Sequence, residues 1–153
     1  MGNHALFRAG GLLVAAAALG LLVSGCQLQV ETPSGDVVQA DVAQDSLQQF
    51  FQRADQLSQE MLTETQHLGN NNLARVMVEF RDVLFELRTM TGTFKLDKAE
   101  TLQRKLFAFE YQLSRDVTTP ALERRYERVE TLLRHLNKEM RRLDAIIQRI
   151  QSQ

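Results

Sequence analysis

Apolar positions in the C-terminal part of the chain recur at spacings of four and three residues without a miss. Leu122, Tyr126, Val129, Leu133, Leu136, Met140, Leu143, Ile147 and Ile150 form the series, four heptads in all. Leu132 and Ile146 widen the stripe on one flank, which suits burial among several helices better than a two-stranded seam. The pattern predicts a helix of about 30 residues, roughly 45 Å long, able to overhang shorter neighbours. Thr119 and Pro120 open it, as N-cap and first helical residue.

Three shorter stripes come before it. Leu47, Phe50, Ala54, Leu57, Met61 and Leu68, flanked by Phe51, predict a first helix from about Asp45. Gly69-Asn70-Asn71-Asn72 ends that helix and caps the next. Leu73, Val76, Met77, Phe80, Val83, Leu84, Leu87 and Met90 mark a second helix, stopped by Gly92. Ala99, Leu102, Leu106, Phe109, Leu113 and Val117 mark a third, with Asp97 as N-cap and Glu100 completing a capping box. The expected fold is all-α, an antiparallel four-helix bundle over residues 45–153 with a long C-terminal helix.

The N-terminal segment follows another logic. Ala9 to Val23 is an apolar run without charge, preceded by Arg8 and followed by small residues up to Cys26. The run is short against the roughly 20 residues of a permanent membrane span and has the layout of a secretory signal. Leu22-Val23-Ser24-Gly25-Cys26 resembles the lipobox of bacterial prolipoproteins. The resemblance implies a diacylglyceryl group on the Cys26 thiol, cleavage behind Val23, Ser24 and Gly25, and an acyl chain such as palmitate on the new amino group. N-myristoylation fits less well, because Leu6 stands where that motif has Ser or Thr. Residue 27 is Gln27 and not aspartate, which by the sorting habit of such lipoproteins implies the periplasmic face of the outer membrane rather than the inner membrane.

Residues 1–25 are thus expected to be a cleaved signal peptide, and 26–44 the lipidated cysteine and a flexible tether. Pro33-Ser34-Gly35-Asp36 has turn chemistry between Leu28–Thr32 and Val37–Ala40. A small hairpin, or a first helix starting near Asp36, are the alternatives for this stretch. Two strands alone are marginal in water.

Charge is unevenly spread. Residues 27–93 hold ten acids against four arginines, about −6, and residues 120–153 hold eight Lys/Arg against five acids, about +3. Helix pairing inside the fold or a partner outside it can absorb the difference. The face of the last helix opposite its stripe carries Arg124, Arg128, Arg134, His135, Lys138, Arg141, Arg142 and Arg149. Arg124–Arg128, Arg134–Lys138 and Lys138–Arg142 are like-charge pairs at i,i+4, each costing roughly 0.2–0.5 kcal/mol, and Glu130–Arg134 is the one well-oriented compensating pair. Val78 and Phe85 on the second helix, and Phe107 and Tyr111 on the third, lie off their stripes. They signal either burial on more than one side or an exposed patch for a partner.

Catalytic chemistry finds no foothold in the pattern. There is no phosphate-binding glycine loop, zinc-type Cys/His spacing or nucleophile elbow. Glu64-Thr65-Gln66-His67 is one Glu-x-x-His, whereas a di-iron bundle uses two plus two further glutamates. His135 has Leu132, not Glu, three residues before it, and a haem held by Met61 or Met140 with His135 would need a histidine that falls on the outward face. The expectation is a non-enzymatic, lipid-anchored helical interaction module of the cell envelope, with no metal or other cofactor beyond the lipid on Cys26. Its partners would be the membrane and an envelope protein or a second copy, not nucleic acid. The partner-binding candidates are Arg124, Arg128, Arg134, Lys138, Arg141, Arg142, Phe85, Phe107 and Tyr111. The alternative is a four-helix bundle that carries a small ligand (lipid, metal or haem).

Overall fold

The computed structural model describes residues 27–90, 93–118 and 124–153. Val23, Ser24, Gly25, Cys26, Thr119, Pro120 and Leu122 lie outside them. The described chain is mostly helical, with four helices and a small three-stranded sheet. The order is β1 (Gln27–Glu31), β2 (Val37–Ala43), α1 (Gln44–His67), α2 (Asn71–Arg88), β3 (Phe94–Lys95), α3 (Leu96–Thr118) and α4 (Glu127–Gln151). A single 3-10 turn, Arg124–Tyr126, leads into α4.

The sheet corrects the expected tether. From Gln27 onward the segment forms a hairpin, β1 and β2 antiparallel, and β3 adds a short parallel strand to give the order β2-β1-β3. Thr32, Pro33, Ser34 and Gly35 make the turn: the Gly35 N–H donates to the Thr32 carbonyl at 2.8 Å, and Gly35 takes a positive φ of 87°. What rescues a hairpin that would be marginal alone is its inner side. Leu28, Val30 and Ala40 are buried in the same core as the helices, with Phe94 of β3 beside Val30.

The core runs the length of the helices. Phe50, Ala54 and Met61 from α1, Val76, Met77 and Phe80 from α2, Ala99, Leu106 and Leu113 from α3, and Val129, Leu136 and Leu143 from α4 have no exposed surface. On α1 the buried row continues through Ser58 and Thr65, and Leu57 and Leu68 are only partly buried. Both hydroxyls are satisfied locally, Ser58 donating to the Asp55 carbonyl and Thr65 to the Leu62 carbonyl at 2.9 Å. Small side chains with their own acceptors can therefore occupy the core side.

Helix ends follow their residues. Gly69 has φ 69° where α1 stops, and the Asn70 side chain accepts from the Leu73 N–H at 3.1 Å to cap α2. Two expectations fail. α3 starts at Leu96, directly out of β3, so Asp97 sits inside its first turn, and the Glu100 side chain accepts from Gln151 of α4 instead of closing a capping box. α4 has 25 residues against 24 in α1, so no long overhang exists among the described residues.

α1 packs on α2 and α4, and α3 packs on the same two helices. Cross-links show the alignment: Arg128 with Glu60 and Arg142 with Gln49 between α4 and α1, and Lys98 with Glu86 between α3 and α2. The sheet sits at the end where α1 and α3 begin.

Candidate functional site

The cations of α4 divide into two groups according to what α1 offers them. Arg128 donates to Glu60 at 2.9 Å, and Arg142, half-buried, donates to Gln49 at 3.0 Å. These two belong to the α1–α4 seam. Arg134 has only a hydroxyl, Thr131, at 3.2 Å. Arg124, Lys138 and Arg141 are exposed and make no ion pair among the described residues. Arg134, Lys138 and Arg141 thus form a ridge of cations that make no ion pair among the described residues, between the two tied arginines.

A carboxylate not among the expected site residues, Glu139, sits in the α1–α4 seam beside Lys138. Glu139 is 6% exposed. One of its oxygens lies 3.5 Å from Arg53 of α1, and the other 3.7 Å from Arg142, outside hydrogen-bonding distance. That second oxygen has no hydrogen-bond partner. The signal was present in the sequence: Leu132, Glu139 and Ile146 are seven apart, on the flank that widens the α4 stripe. Arg53, Gln56, Leu57, His135, Lys138 and Glu139 border a shallow notch here.

The apolar candidates do not gather with the cations. Phe85 and Tyr111 are 67% and 70% exposed, and Val78 is exposed as well. Phe107 is partly buried against the core, so it is a packing residue more than a free contact. Phe85 sits over the α1–α2 side, beside Phe51, Asp55 and Arg81. The Asn72–Asp116 and Glu86–Lys98 contacts set the alignment of α2 and α3. By that alignment Tyr111 is roughly 15 Å along the axis from Phe85, at 1.5 Å per residue. They are separate points, not one patch.

Glu64 is half-buried and His67 exposed at the end of α1, and no third His, Cys, Asp or Glu joins them among the described residues. Met61 and Met140 pack in the core, while His135 is exposed.

A cavity of about 390 Å³ opens where the sheet meets the helices. Leu28, Leu47, Phe51, Leu87 and Phe94 form its apolar floor, with Gln44, Gln48, Gln52 and Arg88 around them. Gln27, the residue of the sorting expectation, is exposed at the start of β1 opposite Ala43. No helix among the described residues is long and apolar enough to cross a membrane. Compared with known protein families, with curated proteins and with solved structures, the chain matches none.

Proposed function

We propose that the chain is a bacterial lipoprotein, anchored through Cys26 at the periplasmic face of the outer membrane, whose helical domain is a non-enzymatic docking module. The reading of the N-terminus is the lipobox Leu22–Cys26 with Gln27 after it. The finer architecture we propose is an antiparallel four-helix bundle, supported by contacts that run in opposite sequence directions: Glu60 with Arg128 and Gln49 with Arg142 along α1 and α4.

The observation that carries the docking role is the ridge Arg134–Lys138–Arg141. A fold that ties Arg128 and Arg142 to α1 leaves these three repelling one another in water. An acidic partner surface removes that repulsion and gains from it, chiefly in speed and selectivity of encounter. A photo-crosslinker in place of Lys138, in cells, tests this. The expected result is a discrete adduct with an acidic envelope protein, lost when Arg134 and Arg141 are both changed to Glu. An adduct pattern indifferent to that charge reversal sinks the proposal. A mass on the N-terminal peptide equal to unmodified Cys26 sinks the anchor.

A second reading, a carrier of lipid or another apolar ligand, draws on the 390 Å³ cavity, which is within the size range of small-ligand sites. Mass spectrometry of organic extracts from purified protein tests it, and the absence of stoichiometric ligand overturns it.

A further inference from the structure

The small sheet has one buried side and one bare side. Leu28, Val30, Ala40 and Phe94 turn inward. Alternation along the strands puts Gln27, Gln29 and Gln39 on the other side, and all three are exposed. Glu31 pairs with Val37 on one strand and Lys95 on the other, so these share the outer side. The Lys95 ammonium is 3.5 Å from the Glu31 carboxylate. Among the described side chains, the outer side presents uncharged amides, a valine that is 59% exposed and a mutually neutralised ion pair.

Cys26 immediately precedes this sheet. Across one peptide bond its Cα is about 3.8 Å from that of Gln27. A lipid on Cys26 consequently leaves no linker between the bilayer and β1. An anchor on a long tether lets a domain tumble, whereas an anchor one residue from a strand keeps the sheet end of the domain next to the lipid.

We propose that the outer side of the sheet, with Gln27, Gln29, Val37 and Gln39, rests on the headgroup layer of the bilayer that holds the Cys26 acyl chains, and that the helices stand away from it. This rests on the lipoprotein reading above. The chemistry of the described side chains fits: amides exchange hydrogen bonds with headgroups, and the Glu31–Lys95 pair adds no net charge. Asp36 in the turn and Asp45 in the first turn of α1 form no ion pair among the described residues, which favours a zwitterionic over an anionic lipid surface.

The orientation has a consequence for the cation ridge. Lys138 is 13 residues before the end of α4 at Gln151, roughly 20 Å from the sheet end at 1.5 Å per residue. That exceeds twice the Debye length of about 8 Å in physiological salt. The ridge is thus held clear of the lipid, at the height where a partner in the periplasm would meet it.

The test uses mature lipoprotein made from the full precursor and reconstituted in phosphatidylcholine vesicles that contain a headgroup-nitroxide lipid. Gln39→Cys and Asn71→Cys are labelled separately with one fluorophore, the thioether at Cys26 being inert to it. Both sites are exposed, and α1 separates the Asn71 end from the sheet by about 36 Å. The expected result is loss of fluorescence at position 39 and none at 71. Equal quenching at both sites, with lipid mass present on Cys26, overturns the orientation alone. Absence of that lipid mass overturns the lipoprotein reading and this proposal with it.

Discussion

The α1–α4 seam and the outer side of α2 and α3 solve the same problem in opposite ways. Along the seam, polar chains reach across: Glu60 to Arg128, Gln49 to Arg142, Arg53 to Glu139. Away from the seam, Phe85 over the α1–α2 side and Tyr111 on α3 stand in water with more than half of their surface bare. The seam is where the opposite charges of the N- and C-terminal parts cancel, and it cancels them incompletely. What remains is the ridge Arg134–Lys138–Arg141. Cations without an ion pair among the described residues and uncovered aromatic surface therefore lie on different sides, and they need not serve the same contact.

The widest contrast is energetic. Leu136 has no exposed surface and belongs to the core that α4 shares with the other helices. Leu136→Ala is expected to lose about 2–5 kcal/mol, from lost transfer energy and the cavity left behind. Phe85→Ala removes a larger side chain and is expected to stay within about 0.5 kcal/mol, because its ring is mostly in water already. Urea unfolding followed by circular dichroism measures both. A loss near that of Leu136 at Phe85 would mean that the exposed aromatic is covered in solution, by a second copy for instance.

The seam itself contains a group that works against it. Glu139 is buried with one oxygen unbonded, and its cationic neighbours are at 3.5 and 3.7 Å. Arg53 is 60% exposed on its side chain and can return to water when released. Glu139→Leu, on the row of Leu132 and Ile146, is expected to raise stability by about 1 kcal/mol, the lower end for replacement of a buried ion pair. A fall of the same size would show that the two arginines hold the carboxylate better than their distances indicate.

Next in size is the turn joining α1 to α2. Asn70 caps α2 through the Leu73 N–H and also donates to the Tyr126 hydroxyl at 3.3 Å. Asn70→Ala is expected to cost about 1 kcal/mol, the usual loss for an N-cap. Tyr126→Phe removes only the second bond and should cost less. If the two variants lose the same amount, the link from the turn to α4 matters more than the cap.

The long stripes were legible because burial on one side of a helix repeats. All of Val129, Leu133, Leu136, Met140, Leu143, Ile147 and Ile150 are buried, as their heptad spacing requires. The sheet was legible only in part: the turn chemistry of Pro33-Ser34-Gly35-Asp36 offered a hairpin as one alternative, and nothing pointed to the third strand. Leu28 and Val30 give only two buried alternations, and β3 has two residues, too few for any period to emerge. The start of α3 was misread for a related reason: Asp97 and Glu100 have the residue types of a capping box, but strand pairing of Phe94 and Lys95 sets the entry instead. The division among the α4 cations could not be read either. Every one of them faces outward in the heptad pattern, and which find partners depends on where α1 happens to carry Glu60 and Gln49.

That division also makes the smallest and sharpest prediction. Lys138→Gln and Arg128→Gln each remove one positive charge from the same helix. Lys138 has like-charged neighbours four residues away on both sides, Arg134 and Arg142, each worth roughly 0.2–0.5 kcal/mol of repulsion. Its replacement is expected to raise stability by about half a kcal/mol in dilute buffer. Arg128 is tied to Glu60 across the seam, with 59% and 36% of the two side chains exposed. Its replacement is expected to lower stability by no more than about 1 kcal/mol, the range of exposed pairs. Both effects should shrink toward zero near 1 M salt, where the Debye length is about 3 Å. Opposite signs that converge with salt would separate the free cations from the tied ones by electrostatics alone. Equal signs would mean that the ridge is already compensated, and its claim to a partner would fall with its excess charge.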